Sequence, residues 1–254
     1  MSITSDNPTA IEILREKIRR IEGGSEHRRA VLPFGISAID NWLPGGGLAL
    51  GALHEVAGGG NSAIDGAAAA LFAAGIAART KGPVLWCVGR PDLFAPALAQ
   101  AGLKSSRVIY MEAGDEKTAL ACLEESLRHG GLGAAIADVS KLTMTASRRL
   151  QLAAETAGTV GIVVRRWRRQ AEAADFGQPT AAVTRWRVSH LPSAPLPVPG
   201  VGRARWHLEL LRCRAGTSAD FYVEACDAKG RLALFADLAD RSAATEDGRY
   251  SAVS

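Results

Sequence analysis

A glycine-rich stretch, GGGNSAIDGA at residues 58–67, lies between the apolar run LHEVA and the helix-like run AAALFAAGIAA. A strand, a glycine-rich turn and a helix form the layout of a loop that binds phosphate groups through backbone amides. Such a loop binds ATP through the pattern G-x-x-x-x-G-K-[ST], in which the lysine neutralises the phosphates and the hydroxyl holds magnesium. Nucleotide binding is therefore the first chemistry to consider.

The loop lacks the cation and the hydroxyl that ATP chemistry needs. Counting from Gly60, the lysine position holds Gly66 and the hydroxyl position holds Ala67, and counts from the two preceding glycines supply neither group. Asp65 adds a carboxylate, which at about 4 Å from a phosphate charge costs ~4 kcal/mol at an effective dielectric near 20. We expect no ATP hydrolysis and no bound cofactor, with only a weak attraction of the loop amides for anions. The residues of this vestigial loop are Gly58, Gly59, Gly60, Asn61, Ser62, Asp65, Gly66 and Ala67.

Arginine and tryptophan recur together between residues 165 and 214. This segment holds ten arginines and three acids, a balance of +7, whereas the rest of the chain holds 20 basic and 23 acidic residues, a balance of −3. Guanidinium groups bind phosphates and indoles stack on bases, so single-stranded nucleic acid or an acidic partner surface is the predicted ligand. The candidate contact residues are Arg165, Arg166, Trp167, Arg168, Arg169, Arg185, Arg187, Arg203 and Arg205.

Two of the three tryptophans have an alternative interpretation. Trp186 and Trp206 fall in predicted strands, where alternation sends the indole to one face and the neighbouring arginines to the other, which favours core packing. Trp167 lies among four arginines in a predicted loop, which favours a nucleic-acid or partner contact. Charge reversal of those four arginines is expected to abolish association and to leave the fold intact.

Short apolar runs alternate with helical stretches from residue 31 onward. Strands are predicted at about 52–57, 83–89, 107–111, 134–139 and 159–164, and helices at about 63–80, 91–101, 115–129 and 143–157. Short strands separated by helices imply a mostly parallel sheet with helices on both faces, so the fold class is α/β. The runs QPTAAVTRWRVSHL, RARWHLELLRCR, ADFYVEAC and RLALFA are predicted as antiparallel strands at the C-terminal edge of that sheet.

The two ends of the chain flank this core, which is predicted to span residues 31–236. Residues 1–30 are predicted as an amphipathic helix and a linker, and residues 237–254 as a polar tail. An apolar stripe on the helix, at helical spacing, packs either on its own domain or on a partner. The stripe consists of Ile11, Leu14, Ile18 and Ile21.

Several functional classes are not indicated by the sequence. The longest uncharged apolar run, residues 66–78, is too short to span a bilayer, and the polar N-terminus lacks the apolar core of a signal peptide. The four cysteines contain no C-x-x-C pair and the five histidines are scattered, so we expect reduced thiols and no metal site. A cytoplasmic protein without membrane contact is therefore predicted.

The opening of the core resembles a known family. FGISAID at 34–40, LPGGGL at 43–48 and GALHE at 51–55 resemble the start of RecA-fold recombinases, where this pattern leads into the phosphate loop. More narrowly, the chain resembles the ImuA family, RecA-like proteins of a damage-inducible mutagenesis cassette that are also related to the division inhibitor SulA. The same opening and the arginine–tryptophan pairs carry the narrower match.

The resemblance covers roughly residues 31 to 236 and implies a RecA-like core. It places Asp138 at the position of a metal-orienting aspartate, with a cap of a helix or turn as the alternative role. It also places residues 165–180 at a DNA-binding loop. The glutamate that activates water in recombinases is missing, because the predicted strand runs into Arg90 and Pro91 instead.

The resemblance also implies a function. A non-catalytic accessory protein of SOS-induced mutagenesis would support error-prone translesion DNA synthesis through an ImuB-like Y-family protein and an error-prone replicative-type polymerase. Single-stranded or primer-template DNA is a further implied ligand. An ATP-dependent recombinase-like protein and a SulA-like division inhibitor stay open as alternatives. Asp65→Ala is expected to leave nucleotide affinity unchanged if the loop is vestigial and to change it if the loop binds nucleotide.

Overall fold

Within the described residues, a nine-stranded mixed sheet and a separate two-stranded sheet form the β-structure. The strands are β1 (Val31–Leu32), β2 (Leu48–Ala49), β3 (Leu53–Gly58), β4 (Val84–Val88), β5 (Val108–Glu112), β6 (Ala134–Val139), β7 (Val160–Arg165), β8 (Thr184–Leu191), β9 (Arg205–Cys213), β10 (Ala219–Glu224) and β11 (Ala233–Leu234). The large sheet has the order β11-β10-β9-β8-β3-β7-β6-β4-β5, and β1 pairs with β2. The strands from β8 to β5 are parallel, and β9, β10 and β11 are antiparallel additions.

The computed structural model describes residues 30–60, 62–89, 92–167, 173–193, 196 and 198–235. Several predictions fall outside these residues. They concern the N-terminal stripe (Ile11, Leu14, Ile18 and Ile21), the tail at 237–254, and the single residues Asn61, Arg90, Pro91, Arg168 and Arg169.

Helices cover both faces of the parallel strands. They are α1 (Ser37–Asp40), α2 (Ala63–Ala78), α3 (Ala95–Gln100), α4 (Glu116–His129) and α5 (Met144–Ala157). The apolar core on the α2 side includes Phe72, Trp86 and Trp186, whereas the core on the α4 and α5 side includes Leu123 and Leu150. No helix within the described ranges combines the length and hydrophobicity needed to cross a bilayer.

The ends of the helices follow ordinary capping chemistry. Asp115 caps α4 by accepting from Thr118 N at 2.7 Å, and Thr143 caps α5 by accepting from Ala146 N at 3.2 Å. Both helices end at a glycine in the left-handed region, where a side chain would be strained. These local signals explain why the predicted bounds of both helices agree closely with the structure.

The opening motif folds into a carboxylate-centred turn. The Asp40 carboxylate accepts from the backbone amides of Phe34, Gly35 and Ile36 at 2.7, 2.9 and 3.2 Å. Gly35 has φ +78°, which a residue with a side chain rarely adopts. The FGISAID pattern therefore holds the entry chain against α1 and fixes the approach to β3.

A buried histidine, His54, lies near the start of β3, opposite Thr184 at the start of β8. His54 Nε2 donates to Ala49 O at 2.9 Å, which leaves Nδ1 as the acceptor for the Thr184 hydroxyl at 2.8 Å. The same Thr184 oxygen accepts from Trp186 Nε1 at 2.9 Å. Burial lowers the pKa of His54 to about 4. The imidazole is therefore neutral in the folded protein at neutral pH.

This lowered pKa predicts an acid-sensitive stability. The unfolded chain takes up a proton at His54 near pH 6.5 and the folded chain only near pH 4, so stability falls between these values by up to about 3 kcal/mol. A non-titrating His54→Asn variant isolates this contribution. We expect wild type to be more stable than the variant at pH 7.5, with most of that advantage lost at pH 4. Urea unfolding at both pH values measures it, and a constant difference would contradict the assignment.

Candidate functional site

The glycine-rich loop joins the end of β3 to the start of α2. Since β3 ends at Gly58 and α2 begins at Ala63, the strand–loop–helix layout fits the count from Gly58 best. In that count Ile64 stands at the lysine position and Asp65 at the hydroxyl position. The Ile64 side chain is 59% exposed, so an apolar group directed at solvent stands where an ammonium group is needed.

The Asp65 carboxylate turns back into the loop. Ser62 Oγ donates to one carboxylate oxygen at 2.8 Å, and His190 N donates to the other at 3.0 Å. Asp65 N in turn donates to Ser62 Oγ at 3.0 Å, which caps α2. A β-carbon built on Gly60 would lie 3.1 Å from the same carboxylate, so the negative charge faces the loop backbone. The Asp65 carboxylate therefore accepts hydrogen bonds beside the loop, where a bound phosphate would need the same donors.

The loop is also held against the end of β8. Gly59 N donates to Val188 O at 2.8 Å, and a β-carbon on Gly59 would lie 1.9 Å from Ser189 Oγ. Glycine is therefore required at residue 59 by the close approach of the neighbouring strand. Gly66 and Ala67, two further residues of the predicted loop, lie within α2, and Ala67 is exposed.

Asp138 lies at the carboxyl end of β6, as predicted, and its partners among the described residues are side chains rather than the backbone of a helix or turn. One of its oxygens accepts from Trp86 Nε1 at 3.1 Å and the other from Arg166 at 3.3 Å. Burial raises the pKa of Asp138, and the neighbouring Arg166 guanidinium opposes that rise. Arg166 also binds both oxygens of Asp92 at 2.7 Å. An arginine therefore stands beside the carboxylate that the resemblance assigns to a metal.

Within the described residues, no cluster of three or more histidine, cysteine, aspartate or glutamate side chains is arranged to hold a metal ion. Asp138 is buried against an indole and a guanidinium, and a metal ion would have to compete with Arg166 for it. The donor set beside the loop thus fits a protein ion pair better than a magnesium nucleotide.

Glu55 is the centre of a buried ionic network on the other face of the sheet. Its side chain is fully buried, with one oxygen 2.5 Å from Arg165 NH1 and the other 3.0 Å from Arg185 Nε. Thr180 Oγ1 donates to the second oxygen at 2.9 Å. Arg165 also pairs with Asp175, which anchors the residues after β7. Charges that leave water completely are retained only when they are matched in this way.

This network corrects two of the predicted contact residues. Arg165 is 1% exposed and Arg185 is 7% exposed, and both donate to Glu55, so the charge of each is used inside the protein and not presented as a free contact to DNA or a partner. Contrary to the prediction of an intact fold, we now expect charge reversal at Arg165 to destabilise the protein. A glutamate there would bury a second carboxylate against Glu55 and would remove a cation from it.

The remaining arginines of the predicted set are engaged to different degrees. Arg166 pairs with two aspartates, and Arg187 binds both oxygens of Glu209 at 2.7 Å. Arg203 pairs with Glu224 at 3.0 Å, and the Arg205 guanidinium lies 4.2 Å from the centre of the Phe235 ring. Arg203 and Arg205 are neighbours, since Glu224 lies opposite Arg205 in the sheet, whereas Arg166 and Arg187 pair with other acids, so the four are not gathered around one shared partner.

The tryptophans fall into two groups, as the alternation predicted. Trp186 and Trp206 are buried on the α2 side of the sheet, with ring centres 5.6 and 6.4 Å from that of Phe72. Trp167 is half-buried, with its ring centre 5.8 Å from that of Phe176. Its indole N–H is buried without a hydrogen-bond partner in the part of the chain that the structure describes. The core role of Trp186 and Trp206 is therefore confirmed, and the role of Trp167 stays a prediction.

Some residues around the site were missed by sequence reasoning. Glu55 was recognised only as part of the opening motif, although an acid inside an otherwise apolar strand signals a buried partner. Asp175 and Thr180 complete its network and carry no sequence signal of their own. Arg148 and Arg212 line cavities on the same face of the sheet and were not among the predicted contacts.

The chain resembles known proteins in its amino-acid sequence and in its fold. Protein ImuA from Caulobacter vibrioides strain NA1000 / CB15N is 40% identical over 243 residues, which cover 90% of this chain and 99% of that protein. Protein ImuA from strain ATCC 19089 / CIP 103742 / CB 15 of the same species matches to the same extent. A crystal structure of the RadB recombinase superposes with a TM-score of 0.53 at 17% identity, covering 80% of this chain and 99% of that chain. This likeness confirms the RecA-like fold. No protein-family profile matches the chain.

Proposed function

The chain belongs to the ImuA family, and we propose from this premise that it is a non-catalytic RecA-like accessory protein of damage-induced mutagenesis. In this role it supports error-prone translesion DNA synthesis by binding other proteins of the assembly. The RecA-like core supplies rigid surfaces for those contacts, and the protein acts without hydrolysing a nucleotide.

The orientation of Asp65 is the observation that carries the non-catalytic part of this proposal. Its carboxylate accepts from Ser62 and from the backbone of His190, so the loop is occupied by a fixed negative charge of the protein itself. A triphosphate seated there would face that charge without a lysine to offset it. At about 4 Å and an effective dielectric near 20, the repulsion alone amounts to ~4 kcal/mol, a loss of about a thousandfold in affinity.

Arg166 gives the same proposal independent support. In a working site the aspartate at the end of the neighbouring strand helps to orient magnesium. Here Arg166 lies between Asp138 and Asp92, and both carboxylates already have a cationic partner. ATP hydrolysis requires a lysine that neutralises the phosphates and an aspartate that orients magnesium. The loop has no such lysine, and Asp138 is paired with Arg166.

We further propose the partners that the family resemblance implies. They are an ImuB-like Y-family protein and an error-prone replicative-type polymerase, and DNA is an additional ligand. The chain presents exposed apolar side chains on which protein partners could dock, among them Phe94 at 67% exposed and Ile109 at 51% exposed.

Co-purification tests this function directly. A tagged full-length chain is recovered from cells with and without DNA damage, and each extract is divided for nuclease treatment. We expect an ImuB-like protein and a polymerase to be recovered after damage and to persist after nuclease treatment. Recovery of a cell-division protein in their place would contradict the proposal, as would loss of both partners once nucleic acid is digested.

A further inference from the structure

Two cavities lie beside the buried network, between α5, the residues that precede β8, and the strands β8 and β9. The first has a volume of about 680 Å³, and Arg185, Arg187 and Arg212 contribute its charged lining. The second has a volume of about 450 Å³, and its charged lining comes from Arg148, Arg212, Arg214 and Glu155. Arg212 lines both cavities, so the two are neighbours on one face of the sheet, and we call them together the arginine cleft.

The charges of the arginine cleft do not balance. Arg185 is paired with Glu55, and Arg187 is paired with Glu209. The other three arginines share the cleft with one acid, Glu155, which also accepts from Gln151 at 2.8 Å. Among the lining residues that the structure describes, three cations against one anion leave an excess of two positive charges.

These three arginines have no carboxylate partner among the described residues, and they are held by backbone oxygens or project into solvent. Arg212 donates to Thr180 O, and Arg214 donates to Ala181 O at 3.5 Å. Arg148 is exposed on α5 and makes no ion pair with any residue that the structure describes. Each side chain therefore keeps hydrogen-bond donors that a bound anion could use.

The position of Arg212 has an electrostatic cost. It lies directly opposite Arg185 in the antiparallel pair of β8 and β9, and both side chains line the same cavity. Like charges that face each other across two strands destabilise a sheet. Glu55 neutralises only the Arg185 side of this pair. A bound anion would neutralise the other side.

We propose that the arginine cleft binds the phosphodiester backbone of single-stranded DNA, which deepens the DNA-binding part of the proposed function and rests on it. Planar guanidinium forks match phosphate oxygens, and the cleft presents several of them in succession. Each cavity is large enough for nucleotide-sized groups. A single strand can follow a cleft of this size, whereas a duplex needs a broad open surface.

Binding of a labelled oligothymidine to the purified full-length chain, followed by fluorescence anisotropy over a range of salt concentrations, tests the cleft. Arg212→Glu/Arg214→Glu removes two phosphate contacts and is expected to weaken binding at least about tenfold and to reduce the salt slope by about 1.4. Lys104→Glu is the control for a single charge reversal at a distant site, because Lys104 precedes β5 at the far edge of the sheet. It is expected to bind within about twofold of wild type.

A second variant separates DNA contact from damage to the fold. Arg148→Glu changes an exposed side chain outside the Glu55 network, so we expect an unchanged melting temperature and a loss of affinity several-fold larger than that of Lys104→Glu. Equal affinity of the cleft variants and Lys104→Glu would overturn the proposal. It would also be overturned if the wild-type chain failed to bind oligothymidine, or if polyglutamate displaced the oligonucleotide at equal charge. Since this assay contains no partner protein, its failure leaves the co-purification result intact.

Discussion

Replacing Glu55 with glutamine is expected to lower the free energy of unfolding by about 3–5 kcal/mol. Glu55 is fully buried and is the carboxylate partner of Arg185 and one of two carboxylate partners of Arg165. Glutamine keeps the size of the side chain and one acceptor oxygen but removes the negative charge. Arg185 would then remain buried with only neutral acceptors, Gln178 O and Thr180 Oγ1. The loss exceeds that of a surface pair because water cannot replace the missing charge.

Chemical denaturation of both proteins at pH 7 measures this difference. Glu209→Gln is the control, because its pair with Arg187 is partly exposed and should contribute no more than about 1 kcal/mol. A Glu55→Gln variant as stable as Glu209→Gln would show that the network is not buried in solution. The ionic centre of the described fold would then be wrong.

Trp186→Ala is expected to lower the free energy of unfolding by about 3–5 kcal/mol, with a corresponding drop in melting temperature. The indole is fully buried, and its ring centre lies 5.7 Å from that of Phe34 and 5.6 Å from that of Phe72. Its N–H also donates to Thr184, which in turn bonds His54, so the substitution removes apolar contacts and one hydrogen bond together.

Comparing Trp186→Ala with Arg187→Ala shows whether Trp186 packs in the core or binds a ligand. Arg187 lies next to Trp186 on the opposite face of β8 and is partly exposed, so its removal should change stability by about 1 kcal/mol or less. If Trp186 instead stacked on bases, Trp186→Ala would weaken nucleic-acid binding while the melting temperature stayed constant. That outcome would contradict the buried position of Trp186.

Local signals made most of the fold predictable. The alternation of short apolar runs with helical stretches gave all five strands from β3 to β7. Four of them, β3, β4, β6 and β7, are mostly apolar because they are buried on both faces, whereas β5 is a partly exposed edge strand. Cap residues such as Asp115 and Thr143 fixed the starts of two helices. The strands β8 and β9 were predicted from strand-like runs, and the period-two pattern of β8 placed Trp186 in the core. The prediction that β8 is an antiparallel addition was wrong, because β8 pairs parallel with β3 and the antiparallel part of the sheet begins at β9.

Pairing over long sequence separations was not predictable. Arg165 lies 110 residues from Glu55, and Arg185 lies 130 residues from it, so nothing in the basic segment indicates that an acid in β3 binds these arginines. A cluster of arginines has the same sequence whether it binds phosphate or balances a buried carboxylate. The distinction needs the register of β3 with β7 and β8, which only the folded sheet provides.

The candidate site in the loop was predictable in part. The missing lysine was evident in every count, but the sequence could not choose among the counts. The structure favours the count from Gly58, because α2 already begins at Ala63. The bond between Asp65 and the backbone of His190 joins residues 125 positions apart and could not be foreseen. Asp65 was predicted as a repulsive charge, and the structure adds that this charge is fixed inside the loop.

The central claim is that this loop no longer holds a triphosphate, and titration of the full-length chain with magnesium ATP in a calorimeter tests it most directly. Asp65→Ala is titrated in parallel; it removes the repulsion but does not supply the missing lysine, so we expect its binding to stay too weak to detect. We predict no saturable heat for either protein up to millimolar nucleotide. Stoichiometric binding of magnesium ATP by the wild-type chain with micromolar affinity would contradict the account.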